Sequence, residues 1–279
     1  MRIDLHSHTT CSDGKLTPAE LIERAVNKQI DVLAITDHDS VVGLQQAQQH
    51  IEQHELPITL VNGVEISCRW HGYEIHVLGL NLDDSNETLL QGLANQSDAR
   101  VQRAVKIAEK LEKLGLENAQ TKVQALAKGK QVCRSHFAQL LHDEGWVEDF
   151  DSAFKKYLGK GAKAFAAPKW VDIQKAISWI KEAGGDAVLA HPGSYDMKTK
   201  WLRRLIIEFK EAGGAGMEVG MARIGIDKRK LMAELCREYE LHASYGSDFH
   251  GPSPWVELGK NFFIPEDCVP IWDHWNFKG

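Results

Sequence analysis

Apolar and polar positions change their period in blocks along this chain. Arg2–Leu5 is a short apolar-rich run and predicts a first strand. Thr17-Pro18-Ala19-Glu20 combines a capping box with proline at the first helical position and predicts a helix to about Asn27. Asp31–Thr36 predicts a buried strand, Val41–His54 a helix, and Ile58–Glu65 and Tyr73–Leu80 two further strands. This alternation points to an α/β protein with a parallel, barrel-like sheet. From about Asn86 to Tyr157 the period turns helical, with Val105, Ile107, Ala108, Leu111 and Leu114 at bundle-like spacing, and Gly159, Gly161 and Pro168 close the segment. Alternation then resumes: helices over Ile173–Ala183, Lys198–Glu211 and Asp227–Tyr239, strands over Asp186–Ala190, Gly216–Val219 and His242–Gly246. The expected organisation is a barrel built from residues 1–99 and 168–279, interrupted by an all-helical insertion over 100–167.

The chain of 279 residues is 43% hydrophobic and 26% charged, which fits a globular domain of ordinary composition. No apolar run is long enough to cross a membrane, and the N-terminus enters a motif without the apolar core of a secretory signal, so a cytoplasmic location is expected. Five cysteines without a C-x-x-C pair suit a reducing compartment. The net charge of −6 argues against a broad surface for duplex nucleic acid. Its distribution is uneven: residues 100–169 carry an excess of six positive charges and the rest an excess of twelve negative ones. An acidic frame around a basic middle could hold cations in one part and a polyanion in the other.

The strand ends carry the chemistry. Active sites of barrels lie at the C-terminal ends of their strands. The first strand runs into His6-Ser7-His8, the second into Asp37-His38-Asp39, and the third ends at Glu65. The fourth contains His76, a later strand leads to His191, and the last leads to Asp248-Phe249-His250. The i, i+2 spacing of His6 and His8 places both imidazoles on one side of a strand. Imidazoles converging with carboxylates form a divalent-metal site. His6, His8, Asp13, His38, Glu65, His76, His191, Asp248 and His250 are therefore the candidate ligands. His50, His54, His71, His142, His242 and His274 lack ligand spacing and carry no such role.

His6-Ser-His8, Thr36-Asp37-His38-Asp39, Gly63-Val-Glu65, His191-Pro192 and Asp248-Phe-His250 resemble the four motifs of the PHP (polymerase and histidinol phosphatase) family, in the family's order. The resemblance implies a distorted (β/α)7 TIM-like barrel and a three-metal cluster. It implies one metal on His6, His8, Glu65 and Asp248, a second on Glu65, His76 and His191, and a third on Asp13, His38 and His250. Arg134-Ser135-His136-Phe137, Lys155–Gly161 and the segment around Pro254-Trp255 are similar to one branch, the bacterial nucleoside 3′,5′-bisphosphate phosphatases that also act as 5′-to-3′ exoribonucleases.

Such a hydrolase needs cations that neutralise the phosphate and lower the pKa of a bridging water toward ~7, making a hydroxide that attacks phosphorus in line. Imidazole-rich ligation favours manganese, iron or zinc over magnesium, and three Mn²⁺ are expected. Arg134 is the candidate phosphate clamp, with Ser135, His136 and Lys160 beside it and Lys163 within possible reach. Asp37 is a candidate for orienting His38 or a neighbour. His191, His250 and Asp248 are the candidates for direct catalytic roles, with either histidine or a metal-bound water as proton donor to the leaving oxygen. Trp201, Trp255, Trp272 and Trp275 read as packing, with Trp255 also a possible base platform. The expected substrate is a nucleotide or short RNA, with no membrane or obligate protein partner. A histidinol-phosphatase-like enzyme and a metal-binding domain without activity are the alternatives.

Overall fold

The computed structural model describes residues 1–128, 130–221, 224–260 and 264–275. Its sheet follows the order β1 (Ile3–Asp4), β2 (Val32–Ile35), β3 (Thr59–Trp70), β4 (Tyr73–Leu80), β6 (Asp186–Leu189), β7 (Gly216–Gly220) and β8 (His242–Tyr245), while β5 (Val171–Asp172) pairs with β3. Leu5 N–H donates to Tyr245 O (3.2 Å), and Ser7 bridges Phe249 in parallel, which carries β8 back to β1 and nearly closes a barrel. Leu5, Val32, Ala34, Val61, Leu78, Leu80, Val188 and Ala190 fill its interior. Helices α1 (Pro18–Asn27) and α2 (Val42–His54) cover one side, and α7 (Ile173–Glu182), α8 (Thr199–Glu211) and α9 (Ile226–Glu238) cover the other. Thr17 and Glu20 form the expected capping box at the start of α1.

The sheet departs from an all-parallel barrel at β4. It runs antiparallel to both β3 and β6. The cause is local: β3 continues past Glu65 to Trp70, and only His71 and Gly72 separate it from β4. Both have positive φ (43° and 80°), as a two-residue hairpin turn needs. A parallel connection needs a dozen residues or more, so the hairpin dictates the reversal. Glu65 consequently lies in mid-strand opposite Leu78, and His76 in the first half of β4 opposite Ser67, so the two side chains meet diagonally across the ladder.

The segment over 86–157 is helical as expected, although α3 (Glu87–Lys113) runs through residues 99 and 100 without a break. Its first half packs on the barrel. There Gly92 meets the Trp179 indole so closely that a Cβ would sit 2.5 Å from it. Its second half packs with α4 (Ala119–Leu126), α5 (Arg134–Asp143) and α6 (Phe150–Ala153) around Ile107, Leu111, Val123, Phe137 and Leu141. A π-helical turn over Phe154–Leu158 follows α6.

The joint between the two halves is polar and buried. Arg100 of α3 donates to Asp39 Oδ2 (2.7 Å) and Ser67 Oγ (2.6 Å), and Asp39 Oδ1 accepts from Ser67 N (2.9 Å) and Gln96 Nε2 (3.1 Å). Removing one member of a buried pair strands the other charge. Asp39→Ala is expected to cost roughly 3–5 kcal/mol in urea denaturation, and adding Arg100→Met should recover part of that loss. Equal stability of Asp39→Ala and the parent would show that the joint contributes nothing.

Candidate metal centre

The mouth of the barrel gathers all nine candidate ligands. Glu65 is fully buried, and its carboxylate meets five imidazoles. Its Oε1 lies 2.8 Å from His76 Nδ1 and 3.0 Å from His191 Nε2. Its Oε2 lies 2.9 Å from His38 Nδ1, 3.4 Å from His8 Nε2 and 3.5 Å from His6 Nε2. Asp248 Oδ1 is 3.4 Å from His6 Nε2 and 3.3 Å from His8 Nε2. Asp13 Oδ1 faces His38 Nε2 (3.7 Å) and His250 Nε2 (3.4 Å). Three sets of donor atoms are compact enough to surround an ion: His8, Asp13, His38 and His250; His6, His8 and Asp248; and His38, Glu65 and His76.

Several of these atoms have no hydrogen-bond partner. His8 Nδ1, Asp13 Oδ1, His38 Nδ1 and Glu65 Oε2 are buried without one among the described residues; His38 Nδ1 and Glu65 Oε2 are 2.9 Å apart but not aligned for a hydrogen bond. Buried polar atoms are otherwise paired as a rule. His6 Nε2 and His8 Nε2 face each other at 3.1 Å, so at least one presents a lone pair, either free or accepting the other's N–H. Lone pairs and carboxylate oxygens aimed at shared points fit divalent cations.

Backbone geometry makes the crowding possible. His191 and Asp248 both occupy the left-handed region, with φ of 33° and 53°. Strain of this kind persists where the surroundings over-determine it. Gly246 lets β8 approach β1: a Cβ there would sit 2.2 Å from His6 Cβ. Asp4, buried beneath, accepts from Ser247 N (2.8 Å) and Gly259 N (3.1 Å) and ties the two chain ends together.

The charges pull the imidazoles in opposite directions. Burial pushes His8 down to about 3, helped by His250, and it also lowers His76 against the pull of Glu65. Burial opposes protonation of His250 too, but Asp13 and Asp248 outweigh it and raise that group to about 10. In the same way Glu218, Glu65 and Asp248 raise His6, and Glu65 raises His191. Asp13, Glu65 and Asp248 stay well below the ordinary carboxylate range although burial alone would lift them, because histidines surround each one.

A cavity of about 760 Å³ opens beside this cluster. Asp13, His38, His76, Asp248 and His250 line it, and so do Arg134 and Ser135 from α5. Arg134 pairs with Glu74 (3.1 Å) and lies over the Phe154 ring, 5.6 Å from its centroid. Ser135 Oγ donates to Asp13 Oδ2 (2.6 Å), so this hydroxyl already orients a carboxylate of the cluster. His136 Nδ1 accepts from Cys133 N (2.9 Å) and caps α5; it lines a smaller neighbouring cavity of about 260 Å³. Lys160 is not brought to the large cavity. Its amine donates to Gly72 O (3.1 Å) and lies 6.0 Å from the Tyr73 ring. Lys163 lies over Tyr157 instead. Asp37 accepts from Thr9 N, Thr9 Oγ1 and Ser12 Oγ at 2.6–2.7 Å, so it fixes the loop that carries Asp13.

Sequence reading passed over four contributors. Glu218 of β7 accepts from His191 N (2.5 Å) and meets His6 Nδ1 (3.1 Å). A carboxylate within the apolar run Gly216–Val219 was the available signal. Tyr195 donates to Ala190 O (2.9 Å) and accepts from His76 N (2.9 Å). Glu74, half-buried between Arg134 and Arg103, is held well below the usual carboxylate range; desolvation opposes this and the two guanidiniums prevail. Lys15 lines both cavities. For Tyr195, Glu74 and Lys15 no spacing signal existed.

A nearly closed barrel with histidines and carboxylates buried at its mouth defines a metal-dependent hydrolase of the TIM-like class. The chain belongs to the PHP family: the PHP domain model matches residues 4–187. It is 44% identical to the 5′-3′ exoribonuclease Rnm of Escherichia coli over 98% of this chain and 93% of that protein. It is 37% identical to the 3′,5′-nucleoside bisphosphate phosphatase of Chromobacterium violaceum, over 97% of this chain and 95% of that one. A solved Chromobacterium violaceum structure, described as an amidohydrolase with bound sulfate and no metal, superposes with a TM-score of 0.90 at 37% identity, covering 98% and 95% of the two chains.

Glu218 touches two of the candidate ligands without facing the cavity. Glu218→Ala is expected to keep its fold by circular dichroism and to weaken divalent-metal affinity about 10–100-fold in a chelator competition. Undiminished affinity would limit Glu218 to a packing role.

Proposed function

We propose that this protein is a phosphoesterase that removes the 3′-phosphate from nucleoside 3′,5′-bisphosphates and shortens RNA from its 5′ end. The observation that carries this reading is the placement of Arg134 on the wall of the same cavity as the donor cluster. One phosphate can sit on the cluster while a second is gripped by the guanidinium. His6, His8, Asp13, His38, Glu65, His76, His191, Asp248 and His250 would hold the cations, three in number and manganese by preference. Bound there, they would neutralise the reacting phosphate and supply an activated water.

The chain's own residues do the rest. Arg134 binds the second phosphate through its planar fork, and Glu74 and Phe154 hold that fork in place. The backbone N–H groups opening α5 add donors to the same phosphate. Ser135 keeps Asp13 aimed at the cluster. The departing oxygen takes its proton from His191 or His250, whose charged forms the carboxylates favour. A histidine engaged by a cation has no proton to give, so the role falls to whichever of the two the cations leave unengaged, and to water where both serve as ligands.

Five free, buried cysteines suit a reducing cytoplasm. Among the described residues no helix is long and apolar enough to cross a membrane.

The test is phosphate release by the manganese-loaded protein from adenosine 3′,5′-bisphosphate, with histidinol phosphate and a short 5′-phosphorylated RNA in parallel. Release from the bisphosphate with stepwise shortening of the RNA is expected; activity on histidinol phosphate alone would overturn the proposal. Two variants sharpen it. Asp13→Asn or Glu65→Gln should abolish turnover. Arg134→Ala should raise KM for the bisphosphate by roughly 10–100-fold, the usual range for a lost charged hydrogen bond, at unchanged metal content.

A further inference from the structure

Three aromatic side chains border the large cavity: Phe150, Phe154 and Trp255. Phe154 underlies Arg134. Trp255 has no comparable duty. It is 74% exposed, and among the described residues no ring contacts it and nothing accepts its indole N–H. The other tryptophans that sequence reading singled out behave differently: Trp201 packs on Trp70 and Tyr73, Trp272 on Tyr245, and Trp275 donates to Asp186.

A single exposed aromatic on a loose loop needs no explanation. This one sits on a segment anchored at both ends. Upstream, His250 O accepts from Lys15 N (2.7 Å). Downstream, Glu257 bridges Arg24 of α1 (3.0 and 2.6 Å) and Lys28 just past its end (3.1 Å), Leu258 is buried, and Gly259 N donates to Asp4. Between the anchors, Pro252 and Pro254 restrict the backbone, and Ser253 Oγ accepts from Val256 N (3.0 Å). The fold thus holds an open indole face at the cavity.

The geometry points to Trp255 as the stacking platform for the nucleobase of the substrate. This rests on the nucleotide reading above. The cluster and Arg134 account for the two phosphates of a bisphosphate and leave its base without a partner. Every base offers a π face, so an indole accepts any of them, and the preference it creates is for an unpaired base over none. A base stacked within a duplex has both faces occupied, and the platform therefore selects single strands.

The experiment uses the full-length manganese-loaded protein, with Trp255→Ala and Trp255→Phe. The substrates are adenosine 3′,5′-bisphosphate and its abasic counterpart, which carries hydrogen in place of adenine. Trp255→Ala is expected to lower kcat/KM for the adenine compound about 5- to 100-fold and to leave the abasic compound unchanged, while Trp255→Phe retains most of the activity. Binding of adenosine 3′,5′-bisphosphate should also quench a component of the tryptophan fluorescence that Trp255→Phe lacks. Equal losses on both substrates, or no loss on either, would overturn the inference. If the parent protein turned over neither compound, the proposed function would fall, and the fluorescence comparison alone would decide whether the indole stacks on a base.

Discussion

Everything at the mouth of this barrel depends on burying the Glu65 carboxylate among five imidazoles. A carboxylate without water is costly unless charge or hydrogen bonds compensate. No one or two strands can supply five such neighbours. They come from the end of β1, the end of β2, the first half of β4 and the turn after β6. The antiparallel reversal of β4 is part of the same arrangement, because it brings His76 diagonally onto Glu65 across the hairpin, opposite Ser67. The absent side chain at Gly246 and the left-handed backbone at His191 and Asp248 are local concessions to the same crowding.

The imidazoles do not share one protonation state. Burial keeps His8 and His76 neutral, with lone pairs available, while the carboxylates favour protons on His6, His191 and His250. Those protons and a divalent cation compensate the same negative charge, so they compete for one place. Metal binding should then release protons and strengthen at higher pH. Because the candidate ligands come from both ends of the chain, cations bound there would also hold the barrel closed and raise its stability by mass action.

Much of this was legible in the sequence, because strand-end residues with short polar side chains announce themselves. His6, His8, His38, Asp248 and His250 stand in motifs of two or three residues, and the structure gathers them as read. What escaped were residues whose role depends on tertiary neighbours. Glu218 looks like a misplaced charge in an apolar strand until β7 lies beside β1's histidine. Glu74 looks like surface until Arg103, Arg134 and Trp170 close over it. Lys160 erred in the other direction: it lies in a basic loop near a resembling motif, yet its amine turns to the Gly72 carbonyl. Register hid the hairpin as well, since His71-Gly72 is a weaker turn signal than Asn-Gly.

Under the proposed function, the buried polar joint at α3 would set how Arg134 and the donor cluster meet one substrate. Arg100 fastens α3 to the end of β2, one residue from His38, and Arg103 fastens it to Glu74, two residues from His76. Glu74 in turn holds Arg134. Arg134, the proposed phosphate clamp, is therefore tied to the donor cluster through two short chains of charged contacts. A clamp at fixed reach from a reactive centre measures the spacing between two anionic groups. A bisphosphate satisfies both ends at once, whereas a simple monoester satisfies one and forfeits the charged contacts at the other. Under the proposed function, discrimination among phosphate esters would lie in the α3 joint as much as in the candidate ligands, since loosening it would blur the spacing without removing any group proposed to touch substrate.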